Sequence, residues 1–428
     1  MIERELAAPL APVDGRRGDR VYGRAVCLAR LHGVPIGLVP LDLCTGGLSA
    51  QDLADQVTRT LGDRVARHLA DDGLESSQRS TPAGLRANRL PGCERDRKRF
   101  LAKAPHMSVV VPTRERPEIL DRCLQHLARL DYPDYEVLVV DNAPVSPATR
   151  ELVRRRGEQF VELHYLREDR PGQSWARNRG LMATSSSIVA FVDDDVAVDR
   201  DWLSALASAF ASAEGVGCVT GLILPAELDT DAQALLEEYG GFSKGFDRRV
   251  FDLDENRPPD PLFPYAAGRF GSGASMAFRA DVLRQVGAFN LALGTGSPPC
   301  GGEDLTAFRK VVLAGHKLVY EPAAIAYHHH PRTYRDLRRQ LFRYGRALGA
   351  YMTACLIDDP GLAPTLASKA PAACRYLVNS RSARNRNRGD SYPPTLVLAE
   401  LLGVALGPLT YAHGRVAAAA NAKGTTPR

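Results

Sequence analysis

Residues 187–203 read SIVAFVDDDVAVDRDWL and place three aspartates, Asp193, Asp194 and Asp195, directly after an apolar run. A short apolar run of this kind predicts a strand that is buried on both faces of a parallel sheet. Ligands of open α/β sheets collect at the carboxyl ends of such strands. Adjacent carboxylates repel one another, and a divalent cation would relieve that repulsion. Mg²⁺ or Mn²⁺ is the expected cofactor, because both ions prefer oxygen ligands.

The other interpretation of the three aspartates is a solvated cluster that caps the next helix. The surrounding pattern favours the ligand site. Strand-like and helix-like segments alternate from residue 106, as in MSVVVPT (107–113), PEILDRCLQHLARL (117–130) and YEVLVVDNA (135–143). This alternation predicts an α/β fold whose mixed, mostly parallel sheet is flanked by helices. Residues 113–115 and Asp141 are expected at the same edge of that sheet.

A second acidic pair, Glu303 and Asp304, follows two glycines in PPCGGEDLTAFRK (298–310). Two interpretations are open. The pair could be stabilised at a helix amino terminus, or one carboxylate could act as a general base on a substrate hydroxyl. Arg177, in RPGQSWARNRG (170–180), has the planar fork that suits diphosphate oxygens, although a solvated basic face explains it equally well.

The order of these patterns divides the chain into four expected segments. Residues 1–72 form a small α+β module, with two strands joined at Gly33 and a helix capped by Ser49. Residues 73–105 are polar and turn-rich and are expected to be a linker. Residues 106–332 form the α/β domain, in which 225–265 is expected to be irregular. Residues 333–428 are expected to be helical.

Composition sets broad limits on the function. The 428 residues are 44% hydrophobic and 25% charged, as is typical of globular proteins, and the net charge of +5 is too small to argue for nucleic acid. Eight scattered cysteines without a CxxC pair indicate reduced thiols, and we expect a cytoplasmic protein.

The C-terminal stretch TLVLAELLGVALGPLTYA (395–412) is apolar, but it contains Glu400 and is interrupted by Pro408. It is short for a membrane-spanning helix, so we expect a buried or interfacial helix. With the basic stretch RSARNRNRGD (381–390) before it, a peripheral contact with the inner face of the cell membrane is one hypothesis. A helical cap on the α/β domain is the alternative.

Residues 107 to about 330 resemble a family 2 glycosyltransferase with a GT-A fold. The resemblance rests on VVVPTRERPEIL, EVLVVDNA, RPGQSWARNRG, IVAFVDDD and GGEDLTAFRK, in that order. It implies inverting transfer of a sugar from a nucleotide-diphosphate donor. It also implies roles for individual residues: Pro112, Thr113, Glu115, Asp141, Arg177, Asp193 and Asp194 toward the donor, Asp195 and His328 toward the metal, and Asp304 with Glu303 in catalysis.

The resemblance leaves the acceptor open between a glycan, a lipid-linked molecule and a natural product. Two other functions compete with sugar transfer. A nucleotidyltransferase would usually carry a glycine-rich phosphate loop after the first strand, and PTRERPE (112–118) has no glycine there. A non-catalytic nucleotide-sugar-binding protein is the other alternative, against which Asp193, Asp195 and Asp304 argue.

Overall fold

The computed structural model describes residues 1–44, 46–75, 79–369 and 392–423. The basic stretch 381–390 lies outside these residues. The chain divides into two compact units, Met1–Ala104 with Gly245–Asp247, and Pro105–Lys244 with Arg248–Arg428. The second unit therefore includes both the expected α/β domain and the C-terminal helices. The sequence patterns had predicted these as two separate segments.

The N-terminal unit is built on a three-stranded sheet, and one long helix supplies much of its apolar core. Its strands are β1 Ile2–Glu5, β2 Val13–Asp14, β3 Arg16–Arg17, β4 Arg20–Val21, β5 Arg24–Leu31, β6 Val34–Asp42 and β7 Gly47–Leu48. Its helices are α1 Ala50–Asp71 and α2 Gly92–Leu101. The expected turn is present, with His32 and Gly33 both at positive φ. Ser49 caps α1 by accepting a hydrogen bond from the Asp52 amide.

Helix α2 lies in the stretch that was expected to be a linker. Its sequence, GCERDRKRFL, buries only Gly92, so it lacks the apolar periodicity that identifies helices. Helix α1 has that periodicity, and its buried residues are Leu53, Ala54, Val57, Leu61, Val65 and Leu69.

The second unit contains a nine-stranded mixed sheet. Its strands are β8 Met107–Thr113, β9 Tyr135–Asn142, β10 Glu162–Glu168, β11 Ile188–Val192, β12 Val196–Val198, β13 Val216–Pro225, β14 Arg249–Phe251, β15 Ser275–Arg279 and β16 Lys317–His328. Its helices are α3 Pro117–Leu127, α4 Ala148–Arg156, α5 Gln173–Ala183, α6 Trp202–Ala211, α7 Asp231–Tyr239, α8 Ala280–Gln285, α9 Glu303–Leu313, α10 Tyr334–Asp358 and α11 Pro394–Lys423.

The sheet has a parallel half and a half with antiparallel pairs. The strand order is β10-β9-β8-β11-β15-β13-β16-β12, with β14 beside β16. Strands β10, β9, β8 and β11 are parallel to one another. Strand β15 is antiparallel to both β11 and β13, and β12 and β14 are antiparallel to β16. All seven residues of β8 and all five of β11 are buried, which explains their continuous apolar sequence.

The segment 225–265 is more ordered than expected. It contains α7, which begins with a complete capping box between Thr230 and Gln233, and the short strand β14. The T-x-x-Q spacing of a capping box was the local signal for this helix.

Helices α10 and α11 lie side by side and run in the same direction. Tyr334 contacts Thr395 near one end of the pair, Gly345 approaches the Glu400 backbone, and Gly349 approaches Val404. A Cβ atom at Gly345 or Gly349 would overlap with a carbonyl oxygen of α11. Small residues therefore permit this close packing, which resembles the small-xxx-small contacts of membrane helices.

Helix α11 continues through Pro408 for 30 residues, so the expected interruption at this proline is wrong. Pro408 cannot donate to the Val404 carbonyl, and that carbonyl instead faces Gly349 of the neighbouring helix. Glu400 is buried and accepts a hydrogen bond from the Tyr239 hydroxyl at 2.7 Å. By length and composition, α11 is the one helix in the described ranges that could cross a membrane.

Candidate active site

Strands β8 and β11 end side by side, and this register brings the aspartate run to the end of β8. Phe191 lies opposite Val110, so residues 193–195 follow β11 close to Thr113. The Thr113 hydroxyl donates a hydrogen bond to Asp194 Oδ2 at 2.6 Å. Asp194 is buried, whereas Asp193 and Asp195 are partly exposed. The middle aspartate thus fixes the loop, and its two neighbours are available to the cleft.

Arg116 supplies part of the positive charge that the three aspartates need. Its guanidinium donates to Asp194 and, through Nη1, to Asp195 Oδ2 at 3.4 Å. Sequence reasoning missed this residue. The available signal was its position three residues after Thr113, at the same edge of the sheet as the aspartates.

Arg177, whose side chain is buried, supplies further positive charge to the aspartates. Nη2 donates to Asp193 Oδ1 at 2.7 Å and to the Gly273 carbonyl at 3.0 Å, and Nη1 donates to Glu303 Oε1 at 2.7 Å. The Arg177 side chain is 1% exposed. It joins the end of β11 to the start of α9, and its burial favours a positioning role over the direct donor contact that was expected.

Burial changes the ionisation of these acids. It raises the pKa of Asp194 to about 7, against the opposing effect of Arg116. Burial also raises the pKa of Glu303, although Arg177 favours the charged form. Glu303 is 4% exposed and its Oε1 faces Arg177, so it is placed to hold that arginine rather than to receive a substrate proton.

Asp304 is the acid of this pair that remains accessible. It is half-buried in the first turn of α9, and its Oδ2 accepts a hydrogen bond from the Gly273 amide at 2.7 Å. Its Oδ1 accepts from the Leu305 amide at 2.8 Å. Two backbone donors therefore fix the orientation of the carboxylate.

A cavity of about 530 Å³ is lined by Lys244, Arg249, Asp260, Arg269 and several apolar side chains. Burial lowers the pKa of Lys244 to about 8, and the negative charge of Asp304 partly offsets that effect. The cavity therefore has a cationic side, and the charge of Asp304 acts on its Lys244. Sequence reasoning did not identify Lys244, which lies outside any of the quoted motifs.

Asp195 and His328 come together through strand pairing. Val196 lies opposite His328 where β12 pairs with β16, which places the preceding Asp195 near the histidine. Burial lowers the pKa of His328 to about 4, so the imidazole is neutral and retains a lone pair. His328 Nδ1 lies 3.1 Å from His330 Nδ1. Asp195 and His328 offer one carboxylate oxygen and one imidazole nitrogen, but neither belongs to the groups of three or four close ligand atoms found among the described residues.

The residues expected at the nucleoside pocket lie on β8, β9 and the loop after β8. Pro112 and Thr113 are buried in β8. Asp141 is fully buried, its Oδ2 accepts from the Tyr165 hydroxyl at 3.0 Å, and its Oδ1 has no hydrogen-bond partner among the described residues. Burial raises the pKa of Asp141. A buried acceptor of this kind suits an N–H group of a base.

Glu115 is held differently from the other expected donor contacts. It has a positive φ of 50°. Its carboxylate accepts from the Val145 and Ser146 amides at 2.8 and 3.2 Å, so it fixes the loop after β9. Both bonds are made to the loop after β9, so contact between Glu115 and a nucleoside remains a prediction.

Comparison with known proteins agrees with this arrangement. Residues 108–286 match the family model described as Glycosyl transferase family 2. The "Pre-mycofactocin glycosyltransferase" of Mycobacterium tuberculosis is 27% identical over 242 residues, which cover 56% of this chain and 46% of that protein. "Glycosyltransferase AglE" of Haloferax volcanii is also 27% identical, over 56% of this chain and 72% of that protein. The alignment thus spans less than half of the mycobacterial relative.

Among solved structures, the chain is similar to the mannosyltransferase PcManGT from Pyrobaculum calidifontis in complex with GDP-Man and Mn²⁺. The identity is 21%, the TM-score is 0.44, and the match covers 77% of this chain and 94% of that one. The family match and the mixed sheet, with its aspartate run at the end of β11, together identify the domain. Residues 108–286 are therefore similar to glycosyltransferase family 2, and the second unit that contains them has an α/β fold of the GT-A type.

Proposed function

We propose that the chain is an inverting glycosyltransferase that moves a sugar from a nucleotide-diphosphate donor to an acceptor hydroxyl. The observation that carries the proposal is the position of Arg177, which contacts Asp193 at one end and Glu303 at the other. This link supports a single cleft in which the aspartates at the end of β11 face Asp304. An inverting displacement requires a donor site and a base on opposite sides of one anomeric carbon.

Asp304 is the proposed general base. It accepts the proton of the acceptor hydroxyl while that oxygen attacks the anomeric carbon, and the nucleoside diphosphate leaves from the opposite face. One displacement inverts the configuration, so no second nucleophilic carboxylate is needed. The hydrogen bonds from the Gly273 and Leu305 amides hold the Asp304 carboxylate in a fixed orientation. Glu303 takes the supporting role of holding Arg177.

Asp195 and His328 are the proposed ligands of a divalent cation, Mg²⁺ or Mn²⁺. The partly exposed carboxylate of Asp195 fits either ion, and the neutral imidazole of His328 offers a lone pair beside it. When bound, the ion would neutralise charge on the leaving diphosphate. Asp193, Asp194, Thr113 and Arg116 arrange the loop on which Asp195 lies.

The donor nucleoside is assigned to Asp141, Pro112, Thr113 and Glu115. Asp141 lies opposite Thr113 at the ends of β9 and β8, and this shared edge supports the assignment. The proposed donor is a UDP-, GDP- or dTDP-sugar, and the melting-temperature assay below distinguishes these nucleotides.

The acceptor is assigned to the cavity beside Lys244, Arg249 and Arg269. Three cationic side chains and one carboxylate line it, which favours an acceptor that carries negative charge near its reacting hydroxyl. Acceptors linked to a lipid diphosphate have this property.

A peripheral membrane contact is assigned to α11. Its exposed apolar residues recur at helical spacing and form what we call the apolar stripe: Leu398, Leu402, Leu406, Leu409 and Val416. Arg335, Arg338, Arg339 and Arg343 of α10 are also exposed. Apolar and basic side chains of this kind favour an anionic lipid surface, such as the inner face of the cell membrane.

The variant Asp304→Asn tests the proposed base. Loss of a general base lowers turnover by about 10²–10⁴-fold without removing the donor site. We expect the variant to keep the rise in melting temperature caused by UDP, GDP or dTDP with Mn²⁺, and to lose the release of nucleoside diphosphate from a sugar donor. A protein that only binds nucleotide sugars would show no difference between variant and wild type in either assay.

Asp281→Asn is the matched control. Asp281 lies at the second position of α8, as Asp304 does in α9, and its Oδ1 also accepts from the next amide at 2.8 Å. It is exposed and outside the cleft. Unchanged turnover in Asp304→Asn, or equal losses in both variants, would contradict the assignment of the base.

A further inference from the structure

The N-terminal unit contains a compact group of metal-ligating side chains that sugar transfer does not use. His32 lies in the turn between β5 and β6, His68 in the last turn of α1, Asp72 at the end of α1, and Cys93 in the first turn of α2. The side chains of His32, His68 and Asp72 are 2%, 14% and 4% exposed. Three separate parts of the unit thus contribute to one enclosed group.

Four ligand atoms in this group lie within 4.8 Å of one another. Asp72 Oδ2 is 2.6 Å from His32 Nδ1, 3.2 Å from His68 Nε2 and 3.1 Å from Cys93 Sγ. Cys93 Sγ is 3.8 Å from His68 Nε2. Around a tetrahedral zinc ion, adjacent ligand atoms are roughly 3.3–3.6 Å apart, given bond lengths of about 2.0–2.3 Å. Movements of less than about one ångström would convert the present contacts to that geometry.

The chemistry of the four side chains indicates which ion would bind. One sulfur, two imidazole nitrogens and one carboxylate oxygen are the ligand types of zinc sites, whereas Mg²⁺ and Ca²⁺ take oxygen ligands. The described part of the chain contains one other close group, formed by Glu136, Glu162 and His164. It differs from the first group in its ligand atoms and in its burial. It has no sulfur, and two of its three members are exposed.

We propose that His32, His68, Asp72 and Cys93 form a structural Zn²⁺ site that ties the β5–β6 turn to the end of α1 and the start of α2. Four protein ligands complete a tetrahedral shell and leave no position for substrate, as in structural rather than catalytic zinc sites. The site explains how α2, which buries little apolar surface, is held in the N-terminal unit. Zinc binding then adds directly to the folding free energy of this unit.

The test uses the full-length protein and two metal probes. After chelation and dialysis, Zn²⁺ is added back and measured by elemental analysis, and Co²⁺ is added separately and followed by absorption spectroscopy. We expect one equivalent of tightly held Zn²⁺ per chain, a higher melting temperature with Zn²⁺, and a thiolate-to-cobalt charge-transfer band. A cation at Asp195 and His328 has no thiolate ligand and would give no such band.

Cys93→Ser should lose the charge-transfer band and the tightly held zinc. The control Cys44→Ser, which changes an exposed cysteine of the same unit, should keep both. His68→Gln provides a second test if Cys93→Ser does not fold. This variant keeps the Cys93 thiol but loses one nitrogen ligand, so it should bind zinc less tightly than wild type. The proposal is overturned if the wild-type protein shows no charge-transfer band with Co²⁺, or if Cys93→Ser shows the same band and zinc content.

Discussion

Two arginines supply the positive charge that three adjacent aspartates require. The half-exposed Arg116 contacts Asp194 and Asp195, and the buried Arg177 contacts Asp193. The carboxylates are therefore partly neutralised by the protein itself. The sequence predicted that something positive must lie among them, but the motif alone could not show that two arginines supply positive charge there.

Replacing Arg177 should destabilise the second unit strongly. Arg177→Met leaves the partly buried Asp193 and the buried Glu303 without their common partner, and breaking a buried ion pair costs about 3–5 kcal/mol. Urea denaturation measures the loss in unfolding free energy. Arg179→Met, which removes an exposed arginine from the same helix, is the control and should change stability by less than about 0.5 kcal/mol.

A double variant makes this prediction more specific. Glu303→Gln removes one of the two charges that Arg177→Met leaves unpaired, so the two losses should not add. Fully additive losses would mean that Arg177 and Glu303 do not interact in solution.

Lys244 should lose its proton near pH 8, and the charge of Asp304 should raise the pKa of Lys244. Burial lowers the pKa of Lys244 to about 8, so its ammonium form predominates below that pH and is lost above it. Asp304 favours the charged form, and Asp304→Asn should therefore lower the pKa of Lys244 further. Competitive acetylation across a pH series, read by mass spectrometry, gives the midpoint. The same midpoint in wild type, Asp304→Asn and Asp281→Asn would show that the cavity and Asp304 are not electrostatically connected.

Among the elements, those with a strong apolar or capping pattern were predicted well from the sequence. Strands β8 and β11, which are buried throughout, and helix α1, with its serine cap, match their expected positions. Helix α2 was missed because charged residues fill it and tertiary contacts, rather than apolar spacing, hold it. Helix α11 was expected to break at Pro408 because local rules could not include the neighbouring helix.

The glycines between α10 and α11 should resist substitution. A side chain at Gly349 would overlap with backbone atoms of α11, and overpacking of this kind costs about 1–3 kcal/mol or more. Gly349→Leu should lower the melting temperature of the second unit. Gly62→Ala is a suitable control, because a Cβ at this glycine of α1 meets nothing within 4 Å. Equal melting temperatures for wild type and Gly349→Leu would show that the two helices do not pack closely.

For the whole molecule, the sequence predicted that the candidate site residues share one α/β domain, but it did not predict which of them contact one another. The order of motifs located the aspartates, Asp304 and His328 in one α/β domain. Long-range pairings such as Arg177 with Glu303 and Val196 with His328 depend on how strands are ordered in the sheet, which local patterns do not specify. The zinc ligands were missed for the same reason, since they are separated by up to 61 residues and share no spacing motif.

The apolar stripe on α11 should bind the protein to lipid. In a flotation assay at low salt, the wild-type protein should rise with vesicles that contain phosphatidylglycerol. A variant with Leu402→Ser and Leu409→Ser should remain at the bottom of the gradient, because it loses two of the five apolar anchors of the stripe. Leu313→Ser, which changes an exposed leucine of α9, is the control. Flotation of the double variant to the same extent as wild type would remove α11 from the contact.

The positions of Pro408 and Gly349 on either side of the Val404 carbonyl also have an evolutionary consequence. The proline withdraws a donor from the Val404 carbonyl, and the missing side chain of Gly349 makes room for that carbonyl. The two positions are thus expected to covary among descendants of this protein. Lineages in which residue 349 acquires a side chain should shift or lose the proline, although the two residues lie on different helices and 59 positions apart in the chain.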